Sequence, residues 1–310
     1  PALRALSGTP DPALPACGLA AVEPASPVMG SPPPFDTVVP VGPQHVRIAR
    51  RALRALAAHA RPRRIHVVAA PAVHAALRRA AGGSAILHDE DRVVPGLSLG
   101  GVAEAIRARG VEPTRAGWYF QQLVKLGTPL AVGASRCLLW DADTVLLRPT
   151  AFFDGEGRAL VAREAEHHPP YFRAQERLIG LGKVAPFSFI AQHLPVRAGH
   201  LRELLERIAP GAVEAGGWVG RTLAAVEPEH LAGAGFSEYE TCGSFVHAEH
   251  PEAVVYRTLP AERHGSLIFG PHPGGPDLRR LARAFTLATF ESSPRAPLGQ
   301  ARWNRVRSLL

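Results

Sequence analysis

The chain has 310 residues, 46% of them hydrophobic and 20% charged, enough for one large α/β domain or two small ones around a sizeable core. Its formal net charge is +8, with arginine far outnumbering lysine, which favours anionic partners: phosphorylated substrates, nucleic acid or a membrane surface. The basic residues never run together as densely as a nucleic-acid arm, aromatics are only 6%, and none of the three cysteines (Cys17, Cys137, Cys242) stands in a C-x-x-C pair. A stacking nucleic-acid surface, a cysteine zinc site and a disulfide framework are therefore disfavoured.

Residues 1–34 are rich in Pro, Ala, Gly and Ser and read as a disordered tail. They lack the basic-then-apolar order of a signal peptide, and no apolar stretch is long enough to span a bilayer. A cytoplasmic location is the expectation, with peripheral membrane contact left open.

Order is expected from Phe35. Phe35-Asp36-Thr37-Val38-Val39-Pro40-Val41 reads as a strand stopped by Gly42-Pro43. A basic amphipathic helix follows over about 44–60; Val46, Ala49, Leu53 and Leu56 form its apolar face, and Arg47, Arg50, Arg51 and Arg54 read as a solvated one. Ile65-His66-Val67-Val68-Ala69 is a second strand, 72–81 a helix, and Ala85-Ile86-Leu87-His88 a third strand running into Asp89-Glu90-Asp91. This alternation implies a mostly parallel sheet flanked by helices, a Rossmann-like α/β fold with ligands beyond the carboxyl ends of the strands.

Residues 114–126 read as a helix closed by Gly127 and Pro129. A continuous strand is expected from Cys137 to Leu147, stopped by Arg148-Pro149. Beyond it come a strand near 159–163, a loop over 166–173, a short strand near 187–191, a helix near 198–208 and a helix starting at Ser237. We expect one catalytic domain over 35–310, its nucleotide-binding half about 35–150 and its acceptor or sugar half 151–310.

The strongest chemical feature is Asp141-Ala142-Asp143, set between the apolar runs Leu138-Leu139-Trp140 and Val145-Leu146-Leu147. Carboxylates in such a place are costly without a compensating charge. In extended backbone, positions i and i+2 point the same way, so both carboxylates can meet one cation. Mg²⁺ or Mn²⁺ suits such hard oxygen ligands and also takes substrate phosphates. Asp89 and Asp91 form a second D-x-D pair, a candidate for base or ribose contact.

On the otherwise apolar helix 118–126, Gln121 and Gln122 share a face with Lys125, placing that ammonium to meet a phosphate. Ser237 to Glu240 has the spacing of a capping box, which would occupy Glu240 and leave Glu238 as the better candidate for an acid/base or sugar-hydroxyl contact.

The block Gly117-Trp118-Tyr119-Phe120-Gln121-Gln122-Leu123-Val124-Lys125-Leu126, followed by Leu139-Trp140-Asp141-Ala142-Asp143-Thr144-Val145 and Arg148-Pro149, resembles a bacterial family of uncharacterised proteins grouped with GT-A-fold glycosyltransferases. Tyr171-Phe172, Ser188-Phe189-Ile190-Ala191 and Phe236-Ser237-Glu238-Tyr239-Glu240 resemble it too, so the likeness spans roughly 35–260. It implies a GT-A-like fold, a nucleotide-diphosphate sugar as donor, and a hydroxyl acceptor on a glycan, lipid or small molecule. It implies Asp141 and Asp143 as metal ligands, with His264 as a third, since some GT-A enzymes supply a C-terminal histidine. Asp141, Lys125 and Gln122 are the expected nucleotide contacts, together with Asp89 and Asp91 from their strand end, which are also the second choice for the metal; Glu238 and Glu240 are the expected catalytic carboxylates. The likeness also implies an acidic residue near Gln192-His193, where this sequence has none.

Two other readings stay open. A nucleotidyltransferase or sugar-phosphate transferase would want a Gly-rich phosphate loop after the first strand, and Val41-Gly42-Pro43-Gln44 is too poor in glycine. A non-catalytic nucleic-acid binder would want a recognisable motif, and none is found.

Overall fold

A computed structural model describes residues 32–81, 83 and 85–292. The expected disordered tail lies outside the described residues except for 32–34, which have no regular structure.

The first half builds as its apolar periodicity demands. Strand β1 (Asp36–Pro40), helix α1 (Val46–His59), β2 (Arg64–Ala69), α2 (His74–Ala81) and β3 (Ala85–Asp89) alternate, and α3 (Leu99–Arg107), not anticipated from sequence, leads into α4 (Ala116–Ala131). Helix α1 buries Ile48, Ala49, Ala52, Leu53 and Leu56 and leaves its arginines outside. Helix α4 does not stop at Gly127: it carries Pro129 inside its last turn. Gly127 is there for packing, since a Cβ would come within 2.6 Å of Val94 and 3.0 Å of Trp218.

Then come β4 (Arg136–Trp140), β5 (Thr144–Leu146), β6 (Ala159–Ala162), α5 (Pro169–Ile179), β7 (His193–Arg197), α6 (Ala198–Ile208), α7 (Gly217–Ala225), α8 (Pro228–Leu231) and α9 (Glu238–Glu249). The chain closes with β8 (Val254–Arg257), β9 (Ala261–Glu262), α10 (Gly265–Phe269), α11 (Gly275–Ala284) and β10 (Leu287–Thr289).

The main sheet has the order β3-β2-β1-β4-β7; its first four strands are parallel and β7 runs antiparallel to β4. This is the mixed, mostly parallel sheet flanked by helices that the alternation predicts. A second sheet, β5-β10-β9, and a pair, β6-β8, complete the fold. Apolar side chains of β1, β2, β4 and the helices fill one large core. A smaller one joins Ile48 and Ala52 of α1, Val145 and Leu147, Leu281 of α11, and Phe290. Among the described residues no helix is long and apolar enough to cross a membrane.

Three local expectations are corrected. The run from Cys137 to Leu147 is two strands in different sheets, and Asp141-Ala142-Asp143 is the turn between them, closed by Thr144 N–H donating to the Asp141 carbonyl at 3.1 Å. The expected loop at 166–173 mostly becomes α5, because Pro169 and Pro170 occupy its first turn, where no backbone N–H is needed. The expected strand near 187–191 contributes only an isolated bridge, Ser188 to Glu164; the strand is β7, a few residues later.

Candidate active site

Asp141 leaves the carboxyl end of β4, beside β1 in the middle of the main sheet. Its backbone N–H donates to the carbonyl of Gln192 at 3.1 Å. Gln192 sits in the left-handed region at φ 59°, unusual for a side chain of that size and held here by the packing of β7 against β4. With its amide oriented to satisfy both ends, its oxygen accepts from Arg263 at 2.9 and 3.0 Å. An amide engaged with an arginine thus stands where the resemblance implied an acid.

Lys125 is 1% exposed, and its ammonium lies between two carboxylates, Asp141 Oδ1 and Glu238 Oε1. It also reaches the Tyr239 hydroxyl at 3.2 Å, and that hydroxyl donates to Asp141 Oδ1 at 2.9 Å. Burial works against the charged ammonium, but the Asp141 and Glu238 carboxylates outweigh it and hold Lys125 above the ordinary lysine value. Burial pushes the Tyr239 phenol well up, reinforced by Asp141 and Glu238, so Tyr239 stays a neutral donor. Burial raises Glu238 as well, with Lys125 opposing and Asp141 adding to the rise.

Gln122 is buried beside Lys125, and its side-chain oxygen accepts the Glu238 backbone N–H at 3.1 Å. It therefore caps α9 from α4. Ser237 accepts the Glu240 N–H at 3.2 Å, the first half of the expected capping box. The Glu240 carboxylate turns instead to Lys183 at 2.6 Å, Ser188 Oγ at 3.0 Å and the Phe189 N–H at 3.1 Å. Glu238 and Glu240 are 3% and 1% exposed, and each is ion-paired. The expectation of a freer Glu238 is corrected: both acids are enclosed, and both anchor the first turn of α9.

The chain contains two lysines, Lys125 and Lys183, and these are the two ammonium groups that meet that turn. Lysine scarcity in an arginine-rich chain was a sequence signal for Lys183, and it went unused. Tyr239, His45 and Glu291 were also missed; Tyr239 lies between the two singled-out acids, but its approach to Asp141, like the approach of His45 and Glu291 to the turn, arises only on folding.

Asp143 faces Asp141 and Glu291. Burial, then the charges of these two carboxylates, pushes Asp143 up to about 7. Glu291 arrives from the end of β10, where the Phe290 N–H donates to the Asp143 carbonyl at 2.8 Å. His45, at the start of α1, senses the Asp141 and Glu291 charges; burial nonetheless lowers it. One lysine thus stands among four carboxylates: Asp141, Asp143, Glu238 and Glu291. Such a centre fits a hard divalent cation by donor chemistry and by its excess of negative charge, and that excess adds to burial in raising Asp143.

His264 caps α10, next to Gly265, whose close approach to Phe290 and the Thr289 carbonyl leaves no room for a Cβ. Its neighbour Gly265 packs on Phe290, the residue before Glu291, and the His264 Nδ1 lies 3.6 Å from Glu262. Asp141, Asp143 and His264 do not gather their ligand atoms within 4.8 Å of one another; among the described residues only Glu227, Glu229 and His230 do so. That surface trio is already neutralised, because Glu227 bonds to both Arg173 and Arg177.

Asp89 and Asp91 stand apart. They leave β3, at the edge of the sheet, with β2 and β1 between them and β4. Asp89 accepts the Asp91 N–H at 3.2 Å and pairs with Arg92, and Asp91 accepts the Leu99 N–H at 2.8 Å, which ties the loop to α3.

No sequence-family model and no curated protein matches the chain. Among solved structures it is similar to the galactosyltransferase LgtC in complex with donor and acceptor sugar analogues, at 14% identity and TM-score 0.42, over 89% of this chain and 95% of that one. It is also similar to mouse xyloside xylosyltransferase 1 in its apo form, at 14% identity and TM-score 0.40, over 83% of this chain and 98% of that one.

Proposed function

We propose that this chain is a metal-dependent glycosyltransferase that moves a sugar from a nucleotide-diphosphate donor to an acceptor hydroxyl. The observation that carries the reading is the Asp141-Asp143 turn at the carboxyl end of a central strand, crowded by Glu291 and held from behind by Lys125 and Tyr239. Central strand ends are where sheets of this type take ligands. The sequence resemblance of the 117–149 block supports the same class.

Asp141 and Asp143 would hold Mg²⁺ or Mn²⁺, with Glu291 beside them and His264 next to the Gly265 that packs on Phe290. When bound, that ion supplies Lewis-acid neutralisation of the charge building on the departing diphosphate. Lys125 and Tyr239 fix one oxygen of Asp141 in place, so its orientation is set before substrate arrives. Lys125 acts on the phosphates through Asp141 in this reading, because its ammonium is spent on two carboxylates. Gln122, Glu238 and Glu240 position the first turn of α9, and with it Tyr239, against the strand end.

Thermal unfolding with Mn²⁺ and a panel of nucleoside diphosphates tests the proposal. A ligand that binds only the folded state raises Tm, by several degrees at saturating concentration. Metal and one nucleoside diphosphate together should stabilise the protein, and Asp143→Ala should remove that effect. If no diphosphate stabilises the protein with metal present, and Asp143→Ala matches wild type, the reading is wrong.

A further inference from the structure

The face formed by α1 and α11 carries an open groove of about 340 Å³ over β5. Its floor is aliphatic, made by Ala55 of α1, Val145 and Leu147 around β5, and Leu278 of α11. Its rim is cationic: Arg51, Arg54 and Arg279. Helix α1 contains no acidic residue, and the single acid of α11, Asp277, is used to accept the Gly274 N–H at 2.7 Å. Arg47, Arg50, Arg51 and Arg54 of α1, with Arg279, Arg280 and Arg283 of α11, form no ion pair with any described residue. Some exposed arginines elsewhere are ion-paired, Arg202 with Glu214 and Arg207 with Glu249 on α6 for example, while others, such as Arg64 and Arg107, are not; the α1–α11 face differs in gathering seven around one groove.

From this we infer that the α1–α11 face docks on an anionic phospholipid surface, the headgroup phosphates meeting the arginine rim and the lipid's apolar portion entering the groove. An aliphatic floor within a ring of unpaired guanidinium groups matches an anionic amphiphile in both parts, since arginine forks suit phosphate. The other candidates match one part or neither. Nucleic acid would find the charge, but it has no aliphatic portion to cover the floor, and His59 is the single aromatic ring among the lining residues. A second copy packed face to face would set the same arginines against one another. Residues 293–310 carry four arginines and no acid, and 1–31 carry one arginine against two acids, so neither offers strong countercharge.

The groove also lies close to the proposed site, since β5 begins at the residue after Asp143. Helix α1 runs from beside His45, near Asp141, to the rim arginines, a rise of roughly 9–14 Å at 1.5 Å per residue. Docking by this face would hold the strand end within reach of the headgroup layer. The inference rests on the groove and its charge, not on the transferase reading.

Co-sedimentation of the full chain with vesicles decides it. We expect binding to phosphatidylcholine vesicles containing 40% phosphatidylglycerol, weakening between 50 and 500 mM salt, and little binding to pure phosphatidylcholine. The double variant Arg54→Gln/Arg279→Gln should lower the partition coefficient about 30-fold, since each arginine near such a surface contributes about fivefold. Ala58→Glu, which puts a carboxylate on an exposed position of the groove, should do the same while melting like wild type. Arg202→Gln/Arg207→Gln on α6 should bind as wild type does. The inference fails if anionic vesicles are not bound, if neutral vesicles bind equally, or if the α1–α11 variants lose no more than the α6 pair. It fails too if duplex DNA displaces the vesicles at lower concentration than phosphatidylglycerol does.

Discussion

At the scale of single residues, the site is governed by a shortage of positive charge. Lys125 serves two carboxylates, the buried Glu238 and the partly exposed Asp141, and removing it strands Glu238 and leaves Asp141 with the Tyr239 hydroxyl. Taking one partner from a buried pair costs about 3–5 kcal/mol, because the remaining charge loses its compensation. Lys125→Met should therefore lower the unfolding free energy by that amount in urea. Lys125→Met/Glu238→Gln should recover part of it, since the second change neutralises the stranded acid. A single variant within 1 kcal/mol of wild type would mean that the ion pair does not organise the site. Lys125→Arg should not rescue, as a planar guanidinium does not fit a space built for a compact ammonium.

His193 shows the converse, a base kept neutral by its surroundings. Burial, aided by Arg257, lowers it to about 4, and its ring packs 5.5 Å from Trp140 and 5.3 Å from Phe152. The folded protein thus binds this proton less tightly than the unfolded chain, whose histidine titrates near 6.5. Its contribution to stability is fully present above pH 6.5 and is lost as pH falls towards 4, by about 3 kcal/mol over that window. Denaturation from pH 7 to 4 should show that slope. His193→Phe, which keeps the ring packing, should flatten it; an unchanged slope would assign the loss to other groups.

Secondary-structure elements were legible where a helix buries one face or a short apolar run is bounded by turn residues, and obscure where two buried strands follow one another without such a boundary. From Asp36 to Asp89 the apolar runs alternate with an amphipathic helix, and strand and helix were both readable. The Cys137–Leu147 run misled because β4 and β5 are both buried, in different sheets, and the polar interruption between them, Asp141-Ala142-Asp143, has the i, i+2 spacing of one face of an extended strand and carries no Gly or Pro to mark a turn. Helix α4 was readable as a helix, but its polar stripe is buried rather than solvated, since α9 brings acids to meet it. Helix α9 illustrates how close that approach is. A Cβ on Gly243 would come 2.2 Å from the Phe189 ring, whose backbone N–H binds Glu240. Overpacking of this kind costs typically 1–3 kcal/mol. Gly243→Ala should destabilise by about that much, and it should weaken metal-dependent nucleotide binding as well if α9 is displaced. Wild-type stability would show that Phe189 swings away without cost.

For the whole molecule, the candidate site is a junction that no local stretch of sequence describes. Strand β4 of the main sheet delivers Asp141; β10, near the end of the described chain, delivers Glu291. Lys125, Asp141, Asp143, Glu238 and Gln122 were readable from their neighbours, whereas Glu291 had no pattern around it, because its significance comes only from β10 pairing with β5. That pairing has a measurable consequence. Asp143 near 7 means that cation binding must displace a proton below neutrality, so Mn²⁺ affinity should climb as pH rises through about 7 and level off above it. Glu291→Gln removes one of the carboxylates that raise Asp143. Its loss should shift the climb to lower pH. Above pH 8 the same variant should bind Mn²⁺ about tenfold more weakly, the usual scale for losing a supporting group at a metal site. Calorimetric titration of wild type and variant at pH 6 and 8.5 separates the two effects. Identical affinities at both values would place Glu291 outside the cation's field and leave the Asp141-Asp143 turn to act without the β10 wall.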